Sequence, residues 1–314
     1  MQTITLGKSS LVTSRLAYGC WRIFSVNSPD QVTPERDAAA RKAVTAAYEA
    51  GYTLFDLADV YSGGAAETVF GKVLKEVSGM REKIVLVSKC AVRKKGDPDN
   101  DAPYRYDFSR DHILRSCEGS LQRLGVDTLD VFLLHRPDFL MDPAEVASAL
   151  STLREQGKVR EFGVSNFNPS QFAVLQKACP FPLLVNQVQM SLLAHAPLTD
   201  GTLDQCMAER VTPMAWSPLN GGRLVTEWPL DITMPGHALR IGVRETLDRL
   251  GRRHGASRMQ MALAWLMRHP AGIQPIIGSS NPDNIRAAVK ATEINLSRED
   301  WYELLQTAMG ERLP

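Results

Sequence analysis

Asp56, Lys89, His135 and the pair Ser165-Asn166 each stand at the end of a short apolar run, and each carries a group that a hydrolytic or redox site can use. The runs are Thr53-Leu54-Phe55, Ile84-Val85-Leu86-Val87-Ser88, Val131-Phe132-Leu133-Leu134 and Phe162-Gly163-Val164. All are short, rich in β-branched or aromatic residues, and followed within a few residues by a helical pattern, so each reads as a buried parallel strand. Parallel strands share one carboxyl-terminal face. A carboxylate, an ammonium, an imidazole, a hydroxyl and an amide then converge where open α/β sheets and closed (β/α) barrels carry their active sites.

The elements that must position these residues alternate along the chain. Gln2 to Thr13 alternates apolar and polar residues around Gly7-Lys8-Ser9-Ser10 and reads as a β-hairpin. Strand-like Leu16 to Gly19 follows, then a helix opened by Thr33-Pro34-Glu35-Arg36 and stopped at Gly51. Helical stretches from Ala66, Ser109, Asp142, Asn168 and Leu203 separate the next strands, which include Leu183-Leu184-Val185 before Asn186-Gln187, and Thr212 to Trp216. Helices over Arg240 to His254 and Arg258 to Arg268 precede the last strand, Gln274-Pro275-Ile276-Ile277, and helices from Pro282 and Arg298 close the chain. Eight strand candidates alternating with helices predict a (β/α)8 TIM barrel as a single domain over residues 1–314, with an N-terminal β-hairpin. Arg93 to Phe108 and Asn220 to His237, with their prolines, read as inserted loops of the kind that form lids or binding surfaces.

Composition narrows the function classes. With 36 Lys+Arg against 35 Asp+Glu the net charge is +1, which argues against nucleic acid as a partner. No apolar stretch reaches the roughly 18–20 residues needed to cross a membrane. The start MQTITLGKSS lacks a basic region and an apolar core, so no secretion signal is expected. Cys20, Cys90, Cys117, Cys179 and Cys206 are scattered without a CxxC pair, as reduced thiols in a cytoplasm would be. Cys20 and Cys90 lie near the predicted face, where a buried filler is favoured over a redox thiol. His112, His195, His237, His254 and His269 show no ligand spacing, so no metal site is expected.

At this point the residues carry a resemblance. Phe55-Asp56-x-Ala58-Asp59-x-Tyr61-Ser62, the Lys89 strand, Leu133-Leu134-His135, Gly163-Val164-Ser165-Asn166-Phe167, Asn186-Gln187, Ala215-Trp216-Ser217-Pro218-Leu219 and Ile276-Ile277-Gly278-Ser279-Ser280 occur in order, each at a predicted strand end. From Gly19 to about Arg286 the chain resembles the aldo-keto reductases, in particular an oxidoreductase branch found in enteric bacteria. That resemblance implies a (β/α)8 barrel that interconverts carbonyls and alcohols with a nicotinamide cofactor.

By resemblance, Asp56, Tyr61, Lys89 and His135 are the catalytic tetrad. A carbonyl accepting hydride needs a proton, which Tyr61 would supply although a free phenol has a pKa of about 10. A neighbouring Lys89 ammonium is expected to lower that value, with Asp56 holding the lysine and His135 donating to the developing oxyanion. Plainer roles exist for each residue: Asp56 as a strand-end cap, Lys89 reaching solvent, Tyr61 as a loop aromatic, His135 as a satisfied structural imidazole. All four would have to hold together on one face.

The resemblance also assigns a cofactor site. Ser165, Asn166 and Gln187 would bond the nicotinamide carboxamide, and Trp216 would stack on its ring where the family usually has tyrosine. Ser217, Leu219, Gly221, Gly222 and Arg223 would wrap the pyrophosphate, although Gly221-Gly222 is equally a plain turn. At the adenosine end, Gly278 and Asn284 stand where many relatives have Lys and Arg, with Arg286 two residues on. Ser279 and Ser280, helped by amides near Pro282, remain as phosphate partners, and NADPH is expected in preference to NADH. Trp21 is expected in the substrate pocket, with Trp228, Tyr104 and Tyr106 at the mouth.

These readings predict a cytoplasmic, monomeric, NADPH-dependent reductase of small carbonyl compounds. A cofactor-binding sensor with little turnover is the alternative from another class. A lyase using Lys89 as a Schiff base would leave Tyr61, Gln187 and Trp216 without roles.

Overall fold

Side-chain alternation along eight short strands builds a closed parallel barrel. The computed structural model describes residues 1–226 and 236–313. Its barrel strands are β1 (Ala17–Gly19), β2 (Leu54–Asp56), β3 (Val85–Cys90), β4 (Leu129–Leu134), β5 (Val159–Ser165), β6 (Leu183–Gln189), β7 (Thr212–Trp216) and β8 (Gln274–Ile277). Each strand pairs in parallel with its neighbours in chain order, and β8 pairs with β1, giving the expected (β/α)8 TIM barrel.

The surrounding helices are α1 (Pro34–Glu49), α2 (Ala65–Glu76), α3 (Arg110–Leu124), α4 (Pro143–Glu155), α5 (Pro169–Ala178), α6 (Thr202–Glu209), α7 (His237–His254), α8 (Arg258–Met267), α9 (Pro282–Ala288) and α10 (Arg298–Met309). Their starts follow local chemistry. Thr33 and Asp142 accept first-turn amides ahead of a proline, and Asn168 and Ser257 form reciprocal capping boxes with Gln171 and Gln260. No described helix is long and apolar enough to cross a membrane.

Period-two alternation decides what faces inward. Leu54, Val85, Val87, Val131, Leu133, Val185 and Met214 pack together inside the barrel, while Phe55, Leu86, Phe132 and Phe162 pack outward beneath the helices. Two residues past an inward position lies another inward position. Leu54 thus leads to Asp56, Val87 to Lys89, Leu133 to His135, Val185 to Gln187 and Met214 to Trp216. The barrel lining therefore ends in polar and aromatic groups at one mouth. Gly163 takes an inward position on β5 because a Cβ there would lie 2.7 Å from Val185 O and 2.8 Å from Leu133 Cδ2.

The opposite end is closed by the predicted hairpin, Thr3–Thr5 paired antiparallel with Val12–Ser14. Leu6 and Leu11 enter the inner apolar cluster, and Gly7 N–H donates to Thr212 Oγ1 at 2.8 Å. Gly7 has φ +50°, and a Cβ there would lie 2.7 Å from Leu184 O, so glycine is required by both conformation and space.

The insertion after β3 departs from the sequence expectation. Val92–Arg93 pairs antiparallel with Arg105–Tyr106, so that segment is a small hairpin rather than an open loop. Arg93 fastens it through Asp97 at 2.7 Å and Asp107 at 3.0 Å. In the second insertion Asn220–Gly222 forms a 3-10 turn and α7 begins at His237 rather than Arg240. Trp228, Pro229 and Pro235 lie outside the described residues.

Candidate active site

Lys89 organises the barrel mouth. Its buried Nζ lies 2.8 Å from Asp56 Oδ1 and 2.9 Å from Oδ2, and donates to Leu57 O at 2.7 Å and to Tyr61 Oη at 2.8 Å. An ammonium has three protons, and these partners engage all of them. Because the Tyr61 oxygen accepts from Lys89, its own O–H is left to donate elsewhere.

Backbone pairing past the end of β2 delivers Tyr61 to this place. Leu57 N–H donates to Val87 O at 2.9 Å and Asp59 N–H to Lys89 O at 3.1 Å, extending the alignment with β3. The chain then turns through Ser62, Gly63 and Gly64, all at positive φ, with Ser62 Oγ donating to Val26 O at 2.9 Å. His135 completes the group, its ring edge-on to Tyr61 with centroids 5.7 Å apart. His135 Nδ1 is buried without a partner among the described residues.

Burial sets the proton affinities. Desolvation, reinforced by the Asp56 carboxylate, holds the Tyr61 phenol well above its ordinary pKa, with Arg136 opposing. Desolvation also lowers Lys89, against the pull of Asp56. His135 is driven well below the ordinary imidazole value by burial, then by Lys89 and Arg136. Lys89 is expected to lower the Tyr61 pKa, whereas the net shift is upward, with burial its largest cause and the Asp56 carboxylate next. Burial thus favours the protonated phenol at Tyr61 and the neutral imidazole at His135. Cys20 and Cys90 are buried with thiols pushed upward by desolvation, which leaves both as fillers.

A second polar chain adjoins the first. Trp216 Nε1 donates to Asn166 Oδ1 at 2.9 Å; Asn166 Nδ2 donates to Ser165 Oγ at 2.7 Å and His135 O at 3.2 Å. Ser165 Oγ donates to Gln187 O at 2.9 Å, and Gln187 Nε2 donates to Asp56 Oδ1 at 2.8 Å. Asn166 sits at φ +62°, a left-handed conformation that asparagine tolerates better than most residues. The donors of Ser165 and Asn166 are engaged internally. Gln187 Oε1 and the remaining lone pairs of Ser165 and Asn166 face no described donor, so this set fits a group offering N–H donors, as a primary carboxamide does.

The flanking predicted residues are more open. Ser217 and Asn220 lie at positive φ, as do Gly221 and Gly222, and the amides of Asn220, Gly222, Arg223 and Leu224 bond within the loop. The cations beside it are side chains: Arg223 is exposed, and a Cβ on Gly221 would lie 3.6 Å from Arg22 Nη2. Leu219 is half-buried beside them. After β8, Gly278, Ser280 and Asn284 are exposed, while Ser279 gives its carbonyl to Tyr18 Oη at 2.9 Å and its hydroxyl oxygen to Asn281 N–H at 3.2 Å. Arg286 pairs with Asp283 at 3.2 Å and lines a surface cleft against α1. Trp21 is 55% exposed and stacks under Arg22, placing it at the rim. Tyr104 and Tyr106 pack edge-on at 5.9 Å on the inserted hairpin.

Sequence reading missed three features. The Gln187–Asp56 bond joins residues 131 apart in the chain, and no local pattern signals it. Arg22 and Arg136 belong to none of the motifs singled out in the sequence, yet each stacks on a predicted site aromatic, Arg22 on Trp21 and Arg136 on Trp216. Among the described residues, no cluster of His, Cys, Asp or Glu has an arrangement that could hold a metal ion.

Comparison with known proteins agrees with this fold. Residues 15–307 match the family described as "Aldo/keto reductase family". The chain is 40% identical over 317 residues to the oxidoreductase YdhF of Escherichia coli, and 38% identical over 314 residues to a 6-dehydroglucose reductase of Agrobacterium fabrum; both alignments cover 100% of each chain. Among solved structures, a thermostable aldo-keto reductase in complex with the inhibitor epalrestat superposes with a TM-score of 0.83 at 30% identity, covering 98% of this chain and 100% of that one. The chain belongs to the aldo/keto reductase family.

Proposed function

We propose that the protein reduces an aldehyde or ketone to an alcohol, with Tyr61 as general acid and Asp56, Lys89 and His135 assisting. The observation that carries this reading is the 2.8 Å bond from Lys89 Nζ to Tyr61 Oη, which leaves the phenol proton to a substrate oxygen. Burial keeps that proton on Tyr61 until negative charge develops on the carbonyl oxygen. Lys89 then stabilises the phenolate as the proton leaves. Neutral His135 donates one N–H to the same oxygen. In the reverse direction the phenolate accepts the alcohol proton.

A reduced nicotinamide, when bound, supplies the hydride. Gln187, Ser165 and Asn166 would hold its carboxamide and Trp216 its ring face. Ser217, Leu219, Gly222 and Arg223 would flank the pyrophosphate, and Gly278, Ser279, Ser280 and Asn284 the adenosine end, with NADPH preferred over NADH. Two relatives named as 6-dehydroglucose reductases, 38% and 39% identical, support a small carbonyl substrate. Five buried free cysteines suit a cytoplasmic setting. A monomer formed by one barrel domain completes the reading.

The test is loss of reduced-nicotinamide absorbance with 4-nitrobenzaldehyde, comparing NADPH with NADH for wild type and Tyr61→Phe. Turnover faster with NADPH, falling about 10²-fold or more in the variant at unchanged cofactor affinity, is the expected result. Tight cofactor binding without turnover of any aldehyde would transfer the assignment to a sensor.

A further inference from the structure

Among the described residues, Arg136 is a half-buried cation without a counter-ion. Its guanidinium lies over the Trp216 ring, 5.3 Å from the centroid, and among the described residues it makes no hydrogen bond or ion pair. The nearby carboxylates are engaged elsewhere. Asp56 holds Lys89; Asp138 accepts from the amides of Phe108 at 2.8 Å and Leu140 at 2.9 Å; Asp107 accepts from Arg93 and Ser109. Asp56 and Lys89 offset each other, while the Arg136 guanidinium has no ion pair among the described residues. That charge is felt at both Tyr61 and His135.

A half-buried guanidinium gains from an anionic partner, and its planar fork matches a carboxylate through two parallel hydrogen bonds. The cofactor phosphates do not meet this need on the assignment above, because their proposed partners lie after β7 and β8. Arg136 directly follows His135 after β4, on the side where the substrate oxygen is handled.

We propose that Arg136 binds a carboxylate carried by the substrate, so that the site prefers carbonyl compounds bearing an anionic group. Trp216 fixes the guanidinium plane by stacking, and the anion in turn fixes the distance of the carbonyl from Tyr61. The inference rests on the reductase reading.

The experiment compares 3- and 4-carboxybenzaldehyde with their methyl esters, using NADPH and the full chain, in wild type, Arg136→Leu and Arg136→Lys. Wild type is expected to favour at least one acid over its ester tenfold or more in kcat/KM, mainly through a lower KM, and the preference should shrink as ionic strength rises. Arg136→Leu should abolish the acid-to-ester ratio, and Arg136→Lys should retain part of it. A wild-type ratio near one for both pairs, or a ratio that survives Arg136→Leu, would overturn the proposal. Calorimetric titration of benzoate into the cofactor-loaded protein reads the same site without turnover. Binding weakened tenfold or more by Arg136→Leu supports the anion site, and absence of binding to wild type counts against it. Failure to reduce either aldehyde, with Arg136-dependent benzoate binding intact, would sink the reductase reading alone.

Discussion

Gln187 Nε2 and Asp56 Oδ1 meet at 2.8 Å across the barrel mouth, tying β6 to β2. The proposed proton-handling group and the proposed carboxamide-binding group are therefore one hydrogen-bonded assembly. If Gln187 served a cofactor alone, its loss would leave the cofactor-free protein unchanged. Instead, Gln187→Leu is expected to destabilise the apoprotein by about 1–3 kcal/mol, because a buried carboxylate loses a donor. Thermal melts without cofactor read this directly, and an unchanged melting temperature would confine Gln187 to the cofactor.

Lys89→Met should damage folding and turnover together. It strands the buried Asp56 carboxylate, a loss of about 3–5 kcal/mol. Adding Asp56→Asn removes the stranded charge, so the double variant should recover most of the denaturant midpoint while remaining inactive. Recovery of aldehyde reduction in the double variant would show that the ammonium is dispensable.

Asp59 predicts a pH-dependent stability. Burial, followed by the Glu67 carboxylate, raises its pKa to about 7 from an ordinary value of 3.8. Between those values the folded protein retains a proton that the unfolded chain releases, so this group's contribution to stability falls as pH rises through that window. Asp59→Asn should therefore melt several degrees higher than wild type at pH 8 and close to it at pH 4. Equal melting differences at both pH values would exclude the titration.

Gly278→Lys tests the adenosine end. Gly278 is exposed, its φ is not positive, and a Cβ there would meet nothing within 4 Å, so a side chain can be added without strain. NADPH should bind several-fold to tenfold more tightly at low salt, with NADH unchanged, as measured by fluorescence titration. Equal affinities before and after the change would put the 2′-phosphate elsewhere.

The barrel was legible because short β-branched runs alternate with well-capped helices, and because Asp56, Lys89 and His135 each interrupt such a run. Which face those residues take was not, since β2, β3 and β4 are buried on both sides and show no polar alternation. The small hairpin of Val92–Arg93 and Arg105–Tyr106 was hidden by its length of two residues per strand. The net direction of the Tyr61 shift was hidden for a general reason. The resemblance implies that Lys89 neighbours Tyr61, but a sequence does not show the burial that raises the phenol's pKa. Arg136 escaped because its partner Trp216 lies on a distant strand.

The sealed end of the barrel has a consequence for how the chain is made. Leu6, Gly7 and Leu11 leave the ribosome well before β6 and β7, yet Gly7 bonds Thr212 across 205 positions and packs on Leu184. The segment that closes the base must wait, unpaired with its final contacts, until β6 and β7 have emerged. Vectorial synthesis therefore leaves the base of this barrel, like the Gln187 and Trp216 side of its mouth, to the late, long-range steps of folding.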